Sequence, residues 1–454
     1  MAKKGTPREL GEERLGKLLL QYSIPAIVAT AAASLYNIID RVFIGQGVGP
    51  LAISGLAVTF PLMNITAAFG AMVGVGAGSM VSIKLGQNDR KGATLILGNA
   101  VMLNIILSLA VAAITLVFLD PILYALGASK DTLPYAKEFM QIILLGNIFT
   151  HLYLGLNGIM RSSGYPRKAM ITTLVTVGIN LVLAPLFIFA FKWGIRGAAL
   201  ATVCAQIVGT IWVVSHFYKG ESFVHFLPGY MRLKKKIIGD IISIGMSNFL
   251  MLIAASIVIS LMNLSLRKYG GDFAIGAYGI VGSIANLVVM VIIGFNQGMQ
   301  PIVGYNYGAK LMDRVLRTFK LTIIAGTAVS IGGFILAEVF PATISSLFTT
   351  DPKLIELATT GMRLCLMMFP IIGFQVVTSS FFQSIGKAKI SIFLSLTRQV
   401  LFLIPALFIL PRFWGLNGVW LSGPLADFSA SLLTLVVLWW QLGKLKSEHF
   451  YLKR

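Results

Sequence analysis

Apolar runs long enough to cross a lipid bilayer recur along this chain of 454 residues. The first run, Leu18 to Ile39, contains no charged side chain and has about the twenty residues that a helix needs to span the hydrocarbon region. Of all residues, 56% are hydrophobic and only 12% are charged, which is too few polar side chains to cover a soluble protein of this size. The sequence therefore predicts an all-α integral membrane protein.

The apolar runs predict about twelve membrane-spanning helices. Their predicted ranges are 16–40, 50–83, 93–118, 134–160, 168–191, 194–216, 237–264, 272–304, 317–340, 358–383, 389–410 and 414–441. We divide the chain accordingly into an N-terminal tail (1–15), an N-lobe (16–219), a basic linker (220–236), a C-lobe (237–441) and a C-terminal tail (442–454). The charged N-terminal tail lacks the apolar core of a signal peptide, so we expect it to be retained.

Lysine and arginine residues are concentrated in alternate connections between the predicted helices. With the N-terminus inside, 26 of them lie in inner segments and 10 in outer segments. Since cytoplasmic connections carry the excess of positive charge, both termini are predicted to lie in the cytoplasm, most simply below a bacterial cytoplasmic membrane. The net charge of +20 then reflects topology and contact with anionic membrane lipid, and nucleic acid is not an expected partner.

The sequence repeats itself after about 222 residues. This shift lays GPLAISGLAV (49–58) over GDFAIGAYGI (271–280), and the segment WGIRGAALA (193–201) corresponds to WGLNGVWLS (414–422). Two halves of six helices each follow from this repeat, and an even number of spans makes the halves parallel. Parallel repeats are typical of transporters whose two bundles rock about a shared cavity.

Motifs for enzymatic chemistry and for ATP use are missing from the sequence. We find no Gly-x-x-x-x-Gly-Lys-Ser/Thr loop for nucleotide phosphates, no Gly-x-Ser-x-Gly and no His-Glu-x-x-His. The two cysteines, Cys204 and Cys365, lie in apolar runs and form neither a disulfide framework nor a metal-ligand cluster, so we expect them to pack. We therefore expect neither an enzyme nor a cofactor, and no energy supply from ATP.

An acidic residue, Asp40, stands at the outer end of the first predicted helix. An acid inside the membrane is costly unless it faces water, a cation or a donor, so it is a functional candidate by default. Tyr36 and Asn37 precede it by four and three residues and share its helix face, which makes them candidates for a substrate cavity. The neighbouring Arg41 points about 100° away and is expected to reach the outer headgroups. The alternative for Asp40 is a cap at the end of the helix.

Three motifs give the chain a specific resemblance. They are the segment Gly55–Phe60 after the first outer turn, the glycine-rich segment Gly76–Gly86, and FNQGMQPIVGYNYGA within Gly294–Ala309. Together with the early acid Asp40 they resemble the multidrug and toxic compound extrusion (MATE) family, over essentially Leu15 to Trp440. The resemblance implies two six-helix lobes forming a V, as in the wider MOP superfamily, with a central cavity that opens alternately to each side. It also implies antiport of organic cations against Na⁺ or H⁺.

Within this family the chain looks closest to the branch named for DNA-damage-inducible protein F. The norfloxacin-extruding branch is expected to carry acids in the seventh and tenth helices, which we interpret here as acid-free. Matched to the family pattern, the cation-coupling residues are Asp40, Asn180 and Thr202, all in the outer half of the membrane. The second acid expected four residues after the Asn is replaced by Ala184, which puts simple Na⁺ binding in doubt. Na⁺ at Asp40 and Asn180 stays an alternative to H⁺.

Other polar residues within the predicted spans have competing interpretations. Taken alone, Asn180 is as well explained by a structural role, as a buried amide bonded to a neighbouring backbone, as by a functional one. Taken alone, Thr202 is better explained by a hydrogen bond to its own helix. Asn157 is a further cavity candidate, and His151 is interpreted as a packing residue.

A polar pair is predicted in the C-lobe. Arg398 and Asp427 lie on neighbouring antiparallel helices, and neither should stay charged in lipid without a partner. Two roles remain open for this pair: an ion pair that fixes the lobe, or a gating or substrate-linked pair.

The sequence as a whole predicts a secondary active multidrug efflux transporter that exchanges amphipathic, cationic drugs or toxic organic solutes for H⁺ or Na⁺ by alternating access. Asp40 would bind the coupling ion, and we expect a monomer. The alternative is a lipid-linked oligosaccharide or lipid flippase of the same superfamily, for which we would expect about fourteen spans and a more cationic cavity. A membrane protein without transport activity is disfavoured by the missing catalytic motifs.

Overall fold

The computed structural model describes residues 9–218 and 222–452, with the side chains of residues 50, 228, 272 and 444–452 outside the description. The predicted tails (1–15 and 442–454) and the linker (220–236) therefore fall partly outside the described residues. The described chain is almost entirely helical. Long apolar segments form helices because every backbone N–H and C=O must find a partner within the segment when no water is present.

Six membrane-spanning helices form the first half of the chain. They are α1 (Leu15–Gly47), α2 (Pro50–Gly86), α3 (Arg90–Val117), α4 (Leu133–Leu145 with Asn147–Ser162), α5 (Pro166–Pro185, continued by the π-helical turn Leu186–Ala190) and α6 (Gly194–Tyr218).

Six further helices form the second half. They are α7 (Lys235–Gly271), α8 (Phe273–Gly308), α9 (Met312–Val339), α10 (Pro352–Leu366 with Phe369–Ser384), α11 (Ala388–Leu396, the π-helical segment Thr397–Leu403, and on to residue 414) and α12 (residues 416–452). Nine stretches of the described chain are single apolar helices of spanning length, and two more are bent pairs. A break at Gly415, where φ is 53°, divides the last stretch into two helices. The all-α membrane fold is thereby confirmed, with nine to eleven apolar stretches of spanning length in the described chain, the last of which is divided at Gly415.

The sequence repeat is also a repeat of the backbone. Left-handed residues recur 221 or 222 positions apart: Gly49 and Gly271, Asn88 and Lys310, Gly164 and Gly386, Gly194 and Gly415. The bend of 57° in α4 has its counterpart in the bend of 50° in α10. The two halves, which we call the N-lobe (α1–α6) and the C-lobe (α7–α12), therefore use the same turns at corresponding places.

Several local features of the helices differ from the sequence-based expectation. The bend in α4 and the two π-helical segments were not predicted, because hydropathy averages over such breaks, whereas the bend in α10 lies next to Pro370, a residue type that can bend a helix. A Cβ at Gly146, where α4 bends, would lie 2.6 Å from the Val203 side chain, so the bend brings α4 close to α6. Helix α9 begins at Met312 instead of residue 317, which adds a charged first turn to the helix.

Three apolar cores show how the lobes are joined. We call the side of the bundle that carries residue 9 the inner side. The core on this side is shared, since it contains Leu18 and Val81 of the N-lobe together with Val303 and Phe381 of the C-lobe. Each lobe has a separate core in its outer half, with no member from the other lobe among the described residues. Joined inner halves and separate outer halves give the expected V shape.

Helices α2 and α8 touch through glycines at the inner side. A Cβ at Gly86 would lie 2.0 Å from the carbonyl oxygen of Tyr305, and a Cβ at Gly308 would lie 2.0 Å from that of Ile83. The two contacts are related by the repeat, since each residue of one contact lies 222 positions from its counterpart in the other. Only glycine permits this approach of two backbones, so the inner interface is closed symmetrically.

The segment just before α1 is bonded to the opposite lobe. Arg314 of α9 donates from Nη2 to the carbonyl oxygens of Glu13 at 2.6 Å and Leu10 at 3.2 Å. Asn306 of α8 donates from Nδ2 to the same Leu10 oxygen at 2.8 Å, and Leu10 is buried in the shared core. We call this contact of residues 9–13 with Asn306 and Arg314 the N-terminal clasp.

Candidate functional site

Three side chains from three helices meet in the outer half of the N-lobe. Asn180 of α5 donates from Nδ2 to Tyr36 Oη and to Thr202 Oγ1, both at 3.1 Å. Tyr36 Oη of α1 lies 3.1 Å from Thr202 Oγ1 of α6. We call Tyr36, Asn180 and Thr202 the N-lobe trio. It ties the outer half of α1 to α5 and α6.

The bonds within the trio define its remaining capacity. The Thr202 hydroxyl donates to the carbonyl oxygen of Ala198 at 3.1 Å, so Tyr36 is left to donate to Thr202. Asn180 uses both hydrogens of its amide nitrogen. Its Oδ1 is buried and has no hydrogen-bond partner among the described residues. The trio therefore presents an unused acceptor oxygen.

Asp40 lies one helical turn after Tyr36 and is buried, with an exposed fraction of 7%. Its Oδ1 also has no hydrogen-bond partner in the described part of the chain, and its charge acts on the Tyr36 hydroxyl. The neighbouring Arg41 is exposed and lies over the Phe60 ring, 4.9 Å from its centroid, which places the guanidinium against an aromatic side chain of α2. A buried carboxyl without a bonded partner can accept a proton or a cation.

The other predicted cavity residues do not join the trio. Asn37 is exposed on α1. Asn157 is buried in α4, where its Nδ2 donates to the carbonyl oxygen of Ala169 at 3.0 Å. His151 is buried, with Nε2 lying 2.8 Å from the carbonyl oxygen of Thr66. The position of Asn157 near the inner end of α4 separates it from the trio in the outer half.

In the C-lobe, the structure brings Arg398 and Asp427 together. The Nε of Arg398 contacts Oδ1 of Asp427, whose side chain is only 2% exposed, whereas that of Arg398 is 31% exposed. Arg398 belongs to the π-helical segment of α11. The contact leaves open whether the pair fixes the lobe or takes part in transport.

Sequence reasoning missed a set of contacts between the lobes. Arg161 is one of the 26 basic residues assigned to inner segments, but it lies in α4 and its guanidinium bonds to the side chain of Gln297 in α8. Gln300, in the predicted glutamine-proline motif, donates to Ser79 Oγ at 2.7 Å across the same interface. The position of Arg161 one residue past the predicted end of its helix was the available signal.

Our interpretation of the seventh helix as acid-free is wrong. Asp240 lies in the second turn of α7, at its exposed inner end. This acid was overlooked because it directly follows the basic linker, where a charge is expected. It is remote from the outer half, where Asp40 and the trio lie.

The donor set near Asp40 is poor in negative charge. Among the described residues, no three His, Cys, Asp or Glu side chains are grouped closely enough to hold a metal ion. The position four residues after Asn180 is the buried Ala184, which supplies no oxygen ligand. A cation here would have one carboxylate and the neutral oxygens of the trio.

Comparison with known proteins adds relatives and a fold. The family model MatE matches residues 25–186 and 244–409, one stretch in each lobe. The multidrug export protein MepA of Staphylococcus haemolyticus (strain JCSC1435) is 27% identical over 428 residues, 94% of each chain. MepA of Staphylococcus aureus (strain MSSA476) is 28% identical over 423 residues, 93% of each chain.

Solved structures share the fold over nearly the whole length. A MATE in the bent conformation has a TM-score of 0.93 at 22% identity and covers 99% of this chain and 100% of its own. A MATE in complex with MaL6 has a TM-score of 0.91, also at 22% identity, with 98% and 100% covered. Since the MatE model spans most of both lobes, this chain belongs to the MATE family of multi-pass membrane transporters.

Proposed function

We propose that this protein is a secondary active multidrug efflux transporter that exchanges amphipathic, cationic organic solutes for H⁺ or Na⁺. It would act as a monomer in the bacterial cytoplasmic membrane, with both termini in the cytoplasm and the inner side of the bundle facing it. The observation that carries the proposal is the buried Asp40 carboxyl, whose Oδ1 has no partner in the described chain and which lies beside the trio. Its relatives named as multidrug export proteins support the class of substrate.

Helix α1 offers a route from ion binding to movement of the lobes. The segment just before it is bonded to the C-lobe by Arg314, and the outer end of α1 is held to α5 and α6 through Tyr36. An ion or proton at Asp40 changes the charge one turn from Tyr36, and so biases the bonds of the trio. The lobes then reopen toward the inner side when α1 bends at Pro25 and changes its packing between them.

The energy available depends on the charge of the exported solute. One charge that moves inward through about 150 mV provides roughly 3.5 kcal/mol, which supports a gradient of a few hundredfold for an uncharged or zwitterionic solute, whereas a one-for-one exchange with a monovalent cation carries no net charge and draws only on the concentration gradient of the ion. The poor donor set around Asp40 favours H⁺ as the coupling ion, because Na⁺ prefers several oxygen ligands with more negative charge. The absence of a second acid at Ala184 supports the same choice.

Efflux from proteoliposomes tests this proposal. We would load a fluorescent organic cation and impose a proton gradient and a sodium gradient in separate experiments. The unaltered protein is expected to respond to one of them, and Asp40→Asn is expected to abolish the response while leaving membrane insertion intact. Asp120→Asn serves as the matched control, since Asp120 is a surface acid with a side chain 44% exposed.

Normal extrusion by the Asp40→Asn protein would refute the coupling role of this carboxyl. Movement of labelled lipid between leaflets, without any gradient-driven export of the cation, would favour the flippase alternative.

A further inference from the structure

The Arg398–Asp427 pair lies at the depth where the two lobes part. On α11, Leu394 belongs to the shared inner core, while Leu403 belongs to the separate core of the C-lobe. Arg398 lies between them, about ten residues or roughly 15 Å along its helix. The pair is therefore near the middle of the membrane, at the bottom of the V.

The two members of the pair differ in accessibility. The Asp427 side chain is 2% exposed and that of Arg398 is 31% exposed. Charged side chains at this depth face the interior of a bundle or a water-filled cavity, since contact of a charge with lipid is costly. An incoming group therefore meets the guanidinium of Arg398 first, and the carboxylate of Asp427 is covered.

Arg398 has donors to spare for such a group. A guanidinium carries five N–H donors, and the contact with Asp427 uses Nε. Its two terminal nitrogens have no hydrogen bond within the described chain. A planar guanidinium with free terminal nitrogens matches the two oxygens of a carboxylate, and it repels a cation.

One aromatic side chain accompanies this guanidinium. Tyr278 of α8 is half-buried and close enough to Arg398 and Asp427 to interact with both charges, and its ring centroid lies 6.3 Å from that of the fully buried Trp420 in α12. The accessible part of the Tyr278 ring suits the apolar rings of an amphipathic solute. The N-lobe has neither charge at the corresponding positions, since the repeat places Thr176 opposite Arg398 and Gln206 opposite Asp427.

We propose that Arg398 binds the carboxylate of zwitterionic amphipathic solutes, while Asp427 holds its guanidinium in place. The C-lobe would thus contain a subsite for an acidic group in a transporter otherwise suited to cations. This inference rests on the proposed function and assigns Arg398 as the residue that recognises the acidic group of solutes with an aromatic body.

A matched pair of dyes tests the subsite. One dye is a rhodamine with a free benzoate group, and the other is the methyl ester of the same dye, which is a cation. Equilibrium binding of each to the purified full-length protein is followed by fluorescence anisotropy. In Arg398→Gln/Asp427→Asn, affinity for the free benzoate is expected to fall about tenfold or more, because a charge-assisted hydrogen bond is lost. Affinity for the ester should stay within about twofold.

The double variant leaves no buried acid without a partner. The Arg398→Lys variant is a second check, because lysine retains the ion pair with Asp427 but lacks the two terminal guanidinium nitrogens. This lysine variant is expected to bind the free benzoate with intermediate affinity. Equal changes for both dyes, no change for either, or an unaltered protein that does not bind the free benzoate would each overturn the proposal. Failure of the proposed function would be seen in a different measurement, because the ester would then show no gradient-driven efflux. Dye binding is measured without a gradient and does not depend on that result.

Discussion

In the outer half of the N-lobe, a buried carboxyl lies beside three hydrogen-bonded neutral side chains. At mid-depth in the C-lobe, a buried carboxyl is instead bonded to an arginine. The first carboxyl, Asp40, has an oxygen without a partner in the described chain, whereas the second, Asp427, is neutralised by Arg398. Both sites occur on helices whose turns and bends repeat at corresponding places in the two lobes.

The comparison shows that the two lobes share their backbone turns but differ in the polar side chains at their buried carboxyls. A carboxyl without a counter-charge can respond to a proton or a cation, since each changes its net charge. A carboxyl held by an arginine is already satisfied and can instead position its partner. In the proposed function, the N-lobe therefore responds to the ion, and the C-lobe presents a fixed positive group.

The symmetric part of the molecule should react equally to matched changes in the two lobes. Gly86→Leu and Gly308→Leu each place a side chain against a carbonyl oxygen only 2.0 Å from the new Cβ. We expect both variants to lose essentially all transport in proteoliposomes, because the inner interface can no longer close. Gly332→Leu is the control, since a Cβ there meets no atom within 4 Å. A large difference between the two glycine variants would show that the interface is not functionally symmetric.

Removal of one acid should affect stability very differently in the two lobes. Asp427→Asn leaves a charged Arg398 without its partner and is expected to lower the free energy of unfolding by about 3 kcal/mol. Asp40→Asn removes a carboxyl that has no ion pair, so it should leave the protein as stable or slightly more stable. Thermal unfolding in detergent micelles measures both, and Arg398→Gln combined with Asp427→Asn should restore most of the loss. Equal destabilisation by the two single variants would contradict the claim that only Asp427 is held by an ion pair.

The hydroxyl groups of two tyrosines sharpen the same comparison. Tyr36→Phe removes a hydroxyl that bonds Asn180 and Thr202 and is expected to cost about 1 kcal/mol of unfolding free energy. Tyr278→Phe, the matched change in the C-lobe, should cost less, because the hydroxyl of Tyr278 has no hydrogen bond within the described chain. Denaturant or thermal unfolding in micelles checks both. Additive effects of Tyr36→Phe and Thr202→Val would contradict a cooperative trio.

The smallest expected effect on stability concerns the N-terminal caps of α3 and α9, which correspond in the repeat. Asp89 caps α3 by accepting from the Gly92 amide at 2.8 Å, while Leu311 caps α9 with nearly the same backbone angles and no side-chain bond. Asp89→Ala should lower the unfolding free energy by about 0.5 to 1 kcal/mol, and Leu311→Asp should raise it by a similar amount. Thermal unfolding at neutral pH measures both changes.

The Asp89 cap also predicts a pH dependence. The Gly92 amide, and then Lys84, lower the pKa of the Asp89 carboxyl below its usual value. Its stabilising contribution is therefore complete above the unfolded pKa of about 4 and is lost as the pH falls through the lower, folded value. The difference between the unaltered protein and Asp89→Ala should shrink below about pH 4, and a difference that persisted there would contradict this origin.

Much of the fold could be predicted from the sequence because it depends on composition along the chain. Span lengths, the repeat and the positions of Asp40, Asn180 and Thr202 are set by local patterns and by helix geometry. The distance of each residue from the end of its predicted helix indicated that these three residues lie in one half of the membrane. Tyr36 was predicted as a cavity candidate from its place one turn before Asp40, but its bonds to Asn180 and Thr202 were not predicted.

What could not be predicted depends on how closely helices approach one another. Arg161 and Arg314 were counted as charges of the inner connections, yet both make contacts between the lobes. The alternation of apolar and polar residues contains no information on which helix of the other lobe a side chain will meet. The same limit applies to Asp427, whose covered position beside a more exposed Arg398 is visible only in the packed lobe.

The N-terminal clasp has a consequence for biosynthesis. Leu10 emerges from the ribosome before its partners Asn306 and Arg314, which follow 296 and 304 positions later. Helix α1 is therefore synthesised long before its leading segment can be secured to the C-lobe. A nascent chain halted before α9 would hold Asp40 on a helix that is still without this anchor.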